Sequence, residues 1–227
     1  MAKKPQPVKR TYSRPAIRKT LSVNSEAAMK AVETYMKPTL SAIYALDVIL
    51  FFISDESTSE AANERVSGIF ETHINSLNKL IQKYQKQLNE ASDEKAISEV
   101  EYNHAHNEEY LIYSPLCGQY IQLIKKVDIL IGLMDQLWLN GELTGNKRNS
   151  EMVTLRRRLL NVSRQVINAS RTAMTLAKAQ GKDDGVIETV AQLGVDEKTI
   201  KEVMDSTKAS EQTEEFFESE EQESLSA

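Results

Sequence analysis

Four cations recur at seven-residue intervals in the second half of the chain: Arg157, Arg164, Arg171 and Lys178. On a helix that interval returns to nearly the same face, drifting only slowly around it. At 1.5 Å of rise per residue, the charges stand about 10 Å apart. Such a row can track a phosphate backbone or line an interface with an acidic protein. Arg156 and Arg158 widen it at one end. A solvated face neutralised by acids one turn away is the ordinary alternative. However, residues 147–182 hold nine cations against Glu151 alone, so pairing along the helix does not account for them.

A second basic block opens the chain. Lys3, Lys4, Lys9, Arg10, Arg14, Arg18 and Lys19 fall within residues 1–19, which contain no acid. Pro5, Pro7 and Pro15 break up the same stretch, and residues 1–16 cannot bury enough apolar surface to fold alone. They read as a disordered basic arm, with Lys9, Arg10 and Arg14 as candidate phosphate contacts. A merely solubilising terminus is the other reading. The last twenty residues carry seven glutamates against Lys208, a net of −6, so the first 207 residues stand at +1 although the chain stands at −5. The acidic balance therefore does not exclude a polyanionic partner. The tail reads as disordered. A plain solvated tail is the expected reading; the alternatives are that its Phe216–Phe217 pair docks a partner or that the tail competes with nucleic acid for the basic surface.

Between arm and body, IRKTLSV at residues 17–23 alternates in the strand sense. Ile17, Leu21 and Val23 share one face, which Lys19 interrupts. Arg18, Thr20 and Ser22 share the other. A short basic strand, a helix of about eleven residues and a second, apolar helix follow the order of a ribbon-helix-helix unit. In such a unit two strands, one from each chain of a dimer, pair antiparallel and enter the major groove. Arg18, Thr20 and Ser22 would then face bases. Lys19, Asn24, Ser25 and the first amides of the helix would hold phosphate, because a helix N-terminus presents unpaired N–H groups and a positive dipole end.

Other chemistry finds less support. No nucleotide-binding glycine motif, P-loop or G-x-S-x-G elbow is present. His73 sits inside a long amphipathic pattern, where a partly buried structural histidine is expected. His104 and His106 would share a strand face and could join in a metal site, but no third ligand suggests itself among the nearby Glu101, Glu108 and Glu109. Cys117 falls in the first turn of a helix, where the dipole could lower a thiol pKa, though a small core residue is the plainer role. The single cysteine excludes an internal disulfide. Gly194 between two short helices suggests a helix-turn-helix, but its second element holds three acids against two cations and is rejected as a DNA reader. The expectation is a protein without catalytic activity, metal or cofactor.

These residues need elements to position them. With 227 residues, 41% hydrophobic and 27% charged, the chain can build a sizeable core, while only 8 glycines and 5 prolines argue for helices over a turn-rich sheet fold. The longest apolar run, residues 42–53, is broken by Asp47 and is too short to span a bilayer. With no signal sequence evident in residues 1–19, a soluble cytoplasmic protein is expected. Helices are expected over 26–36, ended by Lys37–Pro38, and over 39–52, 59–90, 114–139 and 150–180. Two shorter ones follow over 186–193 and 197–207. Val100 and Tyr102 with Tyr110 and Ile112 suggest a small hairpin within 98–113.

The run SPLCGQYIQLIKKVDILIGLMDQLWLNGELTGNKRNSEMVTLRRRLLNV, residues 114–162, resembles the AcaB-like transcriptional regulators of integrative and conjugative elements. The resemblance rests on Ser114–Pro115, Asp128 in mid-helix, Leu137–Trp138–Leu139, Gly141–Glu142 and the arginines 156–158. LSVNSEAAMKAV near the N-terminus fits it loosely, and the likeness spans about residues 17–180. It implies sequence-specific DNA binding by a ribbon-helix-helix-like reader in the control of conjugative-transfer genes.

The sequence thus leads to a mainly α fold, a helical bundle with a short N-terminal β-strand forming a ribbon-helix-helix-like dimer. Its segments are the arm 1–16, a DNA-binding segment 17–54, a helical domain 55–182, a short helical pair 183–207 and the acidic tail 208–227. The expected partners are double-stranded DNA and a second copy of the chain, with a second regulatory protein left open and no membrane. The rival is a helical adaptor or structural component of a conjugative-transfer complex that docks an acidic protein.

Overall fold

A computed structural model describes residues 15–53 and 56–179. The arm before residue 15, the helical pair of 183–207 and the acidic tail lie outside the described residues.

Apolar spacing and end signals set the elements. β1 (Ile17–Val23) leads into α1 (Glu26–Ala31), a π-helical turn over Val32–Met36, and α2 (Lys37–Ile53). The long α3 (Glu56–Glu94) precedes β2 (His106–Ile112), α4 (Pro115–Leu139) and α5 (Gly145–Ala179). The described part is mainly helical with one two-stranded antiparallel sheet.

Helix α4 is the centre of the bundle. Thirteen of its residues are buried, among them Tyr120, Leu123, Ile124, Val127, Ile131 and Met134. Helices α3 and α5 lay apolar stripes beside it: Val66, Phe70, Leu77 and Tyr84 from α3, and Leu155, Leu159, Val162 and Val166 from α5. The Phe70 and Tyr120 rings meet at 6.0 Å. The Tyr120 hydroxyl is 2.8 Å from Ser163 Oγ, so this buried polar group keeps a partner.

The ends of α4 follow their local chemistry. Ser114 Oγ accepts the Leu116 N–H at 3.2 Å and Pro115 takes the first helical position. At the other end Gly141 adopts φ +80°. There the Glu142 N–H donates to the Leu137 carbonyl at 2.8 Å and the Gly141 N–H to Trp138 at 3.0 Å, a Schellman stop.

Three details depart from the sequence expectation. Lys37–Pro38 does not end a helix, and the helical path runs on from Glu26 to Ile53. The widened π turn just before Pro38 absorbs the carbonyl left without its N–H partner, as π bulges do. The residues 98–105 form no strand; the partner of β2 is β1 of the same chain. Residues 98–105 are instead held to α4: Ser98 exchanges hydrogen bonds with the Asn140 side chain (3.0 Å each) and Tyr102 Oη donates to Asp135 at 2.7 Å. Finally, α5 begins at Gly145 rather than near Ser150, because Thr144 supplies the cap, its Oγ1 accepting the Lys147 N–H at 3.4 Å.

Candidate nucleic-acid interface

The two-residue period of β1 separates its faces. Leu21 and Val23 are buried together with Tyr110 and Ile112 of β2, and this apolar side packs toward the bundle. Arg18, Thr20 and Ser22 are exposed on the opposite side. Lys19 and Ile17 share the inner side with Leu21 yet remain exposed, although the β2 residues opposite them, Tyr110 and Ile112, are buried.

The register completes the outer face. Arg18 stands opposite Leu111, Thr20 opposite Glu109 and Ser22 opposite Asn107. All three β2 residues are exposed. Arg18 Nη1 donates to Glu109 Oε2 at 2.9 Å across the two strands. One chain thus presents a two-stranded ribbon carrying an arginine fork, two hydroxyls, an amide, a carboxylate and a methyl-bearing side chain. These are the donor, acceptor and apolar groups that can discriminate base edges in a major groove wide enough for such a ribbon.

Asn24 and Ser25 are placed differently from Arg18. The Asn24 N–H donates to both carboxylate oxygens of Asp128 at 3.1 Å, and the Ser25 N–H to Asp128 Oδ1 at 2.7 Å. Ser25 is buried and its Oγ caps α1 by accepting the Ala28 N–H at 3.4 Å. The anion at these two amides is a carboxylate of the chain itself. Asp128 therefore fixes the hinge between ribbon and helix to the middle of α4.

The arginines of α5 divide between two neighbours. Lys30, hydrogen-bonded to Glu26 and opposite in charge, holds the Glu26 carboxyl below its usual range, and the Arg156 charge adds to this. Burial pushes the Tyr35 phenol up, with Arg164 and Arg156 acting against it. Arg156 and Arg164 therefore lie within electrostatic reach of the helix that follows the ribbon. Arg158 turns to α3, donating to Ser76 Oγ at 3.2 Å. Arg157 is exposed, while Arg164 and Arg171 are half-buried. Lys178 lies on α5, with its side chain outside the described residues, as are Lys9, Arg10 and Arg14.

No family model and no curated protein matches the chain. Among solved structures it is similar to the selenomethionine-containing crystal structure of AcaB from uropathogenic E. coli. The two are 27% identical over 84% of this chain and 97% of that one, with a TM-score of 0.66. At this identity and coverage the likeness supports the resemblance to the AcaB-like regulators.

Several of the residues that carry the resemblance have a visible structural task. Ser114–Pro115 starts α4, Asp128 anchors the ribbon hinge and Gly141 stops α4. Trp138 carries Arg148 over its ring at 4.7 Å, and Arg148 Nε donates to Asp135 at 2.5 Å. Cys117 is buried, and burial pushes its thiol up to about 12. His73 is half-buried and its imidazole pKa is lowered by burial, then by Arg158. His104 is exposed ahead of β2, whereas His106 turns inward with Nε2 3.5 Å from Glu108. The sequence reading missed Asn107, Glu109 and Leu111 as outer-face residues. Their alternation with Tyr110 and Ile112 was the available signal, and the charged start of the segment obscured it.

Proposed function

We propose that this AcaB-like protein is a cytoplasmic, non-enzymatic, sequence-specific DNA-binding regulator of transcription in a conjugative or integrative element, acting as a homodimer. The observation that carries the reading is the outer face of the ribbon. Arg18, Thr20 and Ser22 are all exposed and spaced to face one way, and none of them is used by the core. Base-edge recognition needs this arrangement, and Arg156, within electrostatic reach of Glu26 in α1 and Tyr35 in the π turn, and Arg164, within reach of Tyr35, supply cations to flank it. The likeness to AcaB supports the same assignment. Among the described residues no helix is long and apolar enough to cross a membrane.

The homodimer is supported by the ribbon's form. The sheet has two strands among the described residues, so each strand keeps an edge that a second copy could cover, and Ile17 is 69% exposed at its end. Two copies would present two ribbons to a palindromic site.

The test is selection of bound sequences from a random pool of duplex DNA near physiological salt. A recovered palindrome supports both reader and dimer. Uniform retention, or none, removes the specific-reader assignment and favours the adaptor reading, with an acidic protein on the α5 face.

A further inference from the structure

We infer that β2 is the second reading strand of the ribbon and that Glu109, held against Arg18, is its selectivity-determining residue. The inference rests on the DNA-binding reading above and adds residues from a part of the chain about ninety positions from β1.

The register puts Asn107, Glu109 and Leu111 on the same exposed face as Ser22, Thr20 and Arg18. A ribbon laid in a major groove with β1 side chains toward the bases therefore brings the β2 side chains toward them too. Asn107 offers an amide, which matches adenine N6 and N7, and Leu111 offers an apolar contact to a thymine methyl. Glu109 is the unusual member, because a carboxylate between two phosphate chains is repelled by both.

That repulsion is what makes it selective. An ionised glutamate only accepts hydrogen bonds, and the groove offers it donors only at cytosine N4 and adenine N6. Over any other base edge its charge is desolvated without a partner. Its pairing with Arg18 restricts the cation as well. A free arginine would join any nearby phosphate, whereas Arg18 Nη1 is engaged at 2.9 Å, leaving the other N–H groups of its planar fork for guanine O6 and N7. The pair is widely exposed, with side chains 69% and 56% accessible. An ion pair this open contributes little to folding, so substitution there should leave the structure standing.

The experiment compares full-length wild type, Glu109→Gln and Asn107→Ala on two probes, the duplex recovered by selection and a random-sequence duplex of equal length. For Glu109→Gln, affinity for the random duplex rises. The salt slope on that duplex steepens by about one unit as Arg18 turns to phosphate, and the preference for the selected site falls ~10-fold. For Asn107→Ala, the preference falls at one or two base pairs with no gain on random DNA. Unchanged unfolding midpoints show that both variants fold. If wild type prefers the selected site and neither variant alters that preference, or if Glu109→Gln weakens both probes equally, the inference is overturned while the DNA-binding reading stands. If wild type shows no preference at all, both fall.

Discussion

Asp128 is a carboxylate that the fold uses where a ligand anion was expected. It is buried and accepts N–H groups from Asn24 and Ser25, residues more than a hundred positions earlier. Hydrogen bonds to a charged acceptor are worth ~1.5–3 kcal/mol, and orphaning buried donors adds to the loss. Asp128→Ala should lower unfolding free energy by about 3 kcal/mol in urea titration, and Asp128→Asn, which keeps one acceptor oxygen, by about half as much. Cys117 gives a second prediction at this scale. Burial raises its thiol from 9.0 to about 12. The folded form therefore favours the neutral thiol, and this contribution to stability is intact below pH 9 and is lost as pH rises from 9 toward 12. Urea midpoints measured across that range should fall more steeply for wild type than for Cys117→Ala. The residue types pointed to a quiet cysteine, but Asp128 could be read from sequence only as a motif position, because its partners come from another element.

At the scale of elements, end signals were the most legible. Ser114–Pro115 and Asn140–Gly141 bound α4 as expected because they act through neighbouring backbone groups alone. Gly141 sits at φ +80° in otherwise open space, so only backbone strain opposes a side chain there. Gly141→Ala should cost about 1 kcal/mol, read as a lower thermal midpoint with an unchanged helical spectrum. Pro38 was misread because a local rule was overridden: the buried faces of α1 and α2 favour one continuous helical path, and the π turn over Val32–Met36 accommodates the ring. The α5 row keeps its spacing, but packing engages the cations to different degrees. Under the DNA-binding reading, Arg164→Ala weakens binding to all duplexes alike and lowers the magnitude of the salt slope by about one unit.

For the whole molecule, the distribution of charge matters more than the sum. The basic first nineteen residues (+7) and the acidic last twenty (−6) nearly cancel each other, and residues 20–207 between them carry a net −6. Removal of residues 1–14 takes away Lys3, Lys4, Lys9, Arg10 and Arg14. If the arm serves only phosphate, affinity for selected and random duplexes falls by the same factor in a salt titration, and the ratio between them is unchanged. A change in the ratio would give the arm a part in reading the sequence.

The sequence alone determined what depends on neighbours along the chain: the helical class, the two-residue alternation of β1, the caps of α4 and the seven-residue row of cations. Each is a short-range pattern that backbone geometry turns into a face or an end. Tertiary structure decided which surfaces meet. It paired β1 with β2 across about ninety residues, set Glu109 against Arg18, filled the start of α1 with Asp128 and drew Tyr102 onto α4. Those choices come from burying Leu21, Val23, Tyr110 and Ile112 over one core and giving each buried polar group a partner, and neither condition can be read from spacing alone.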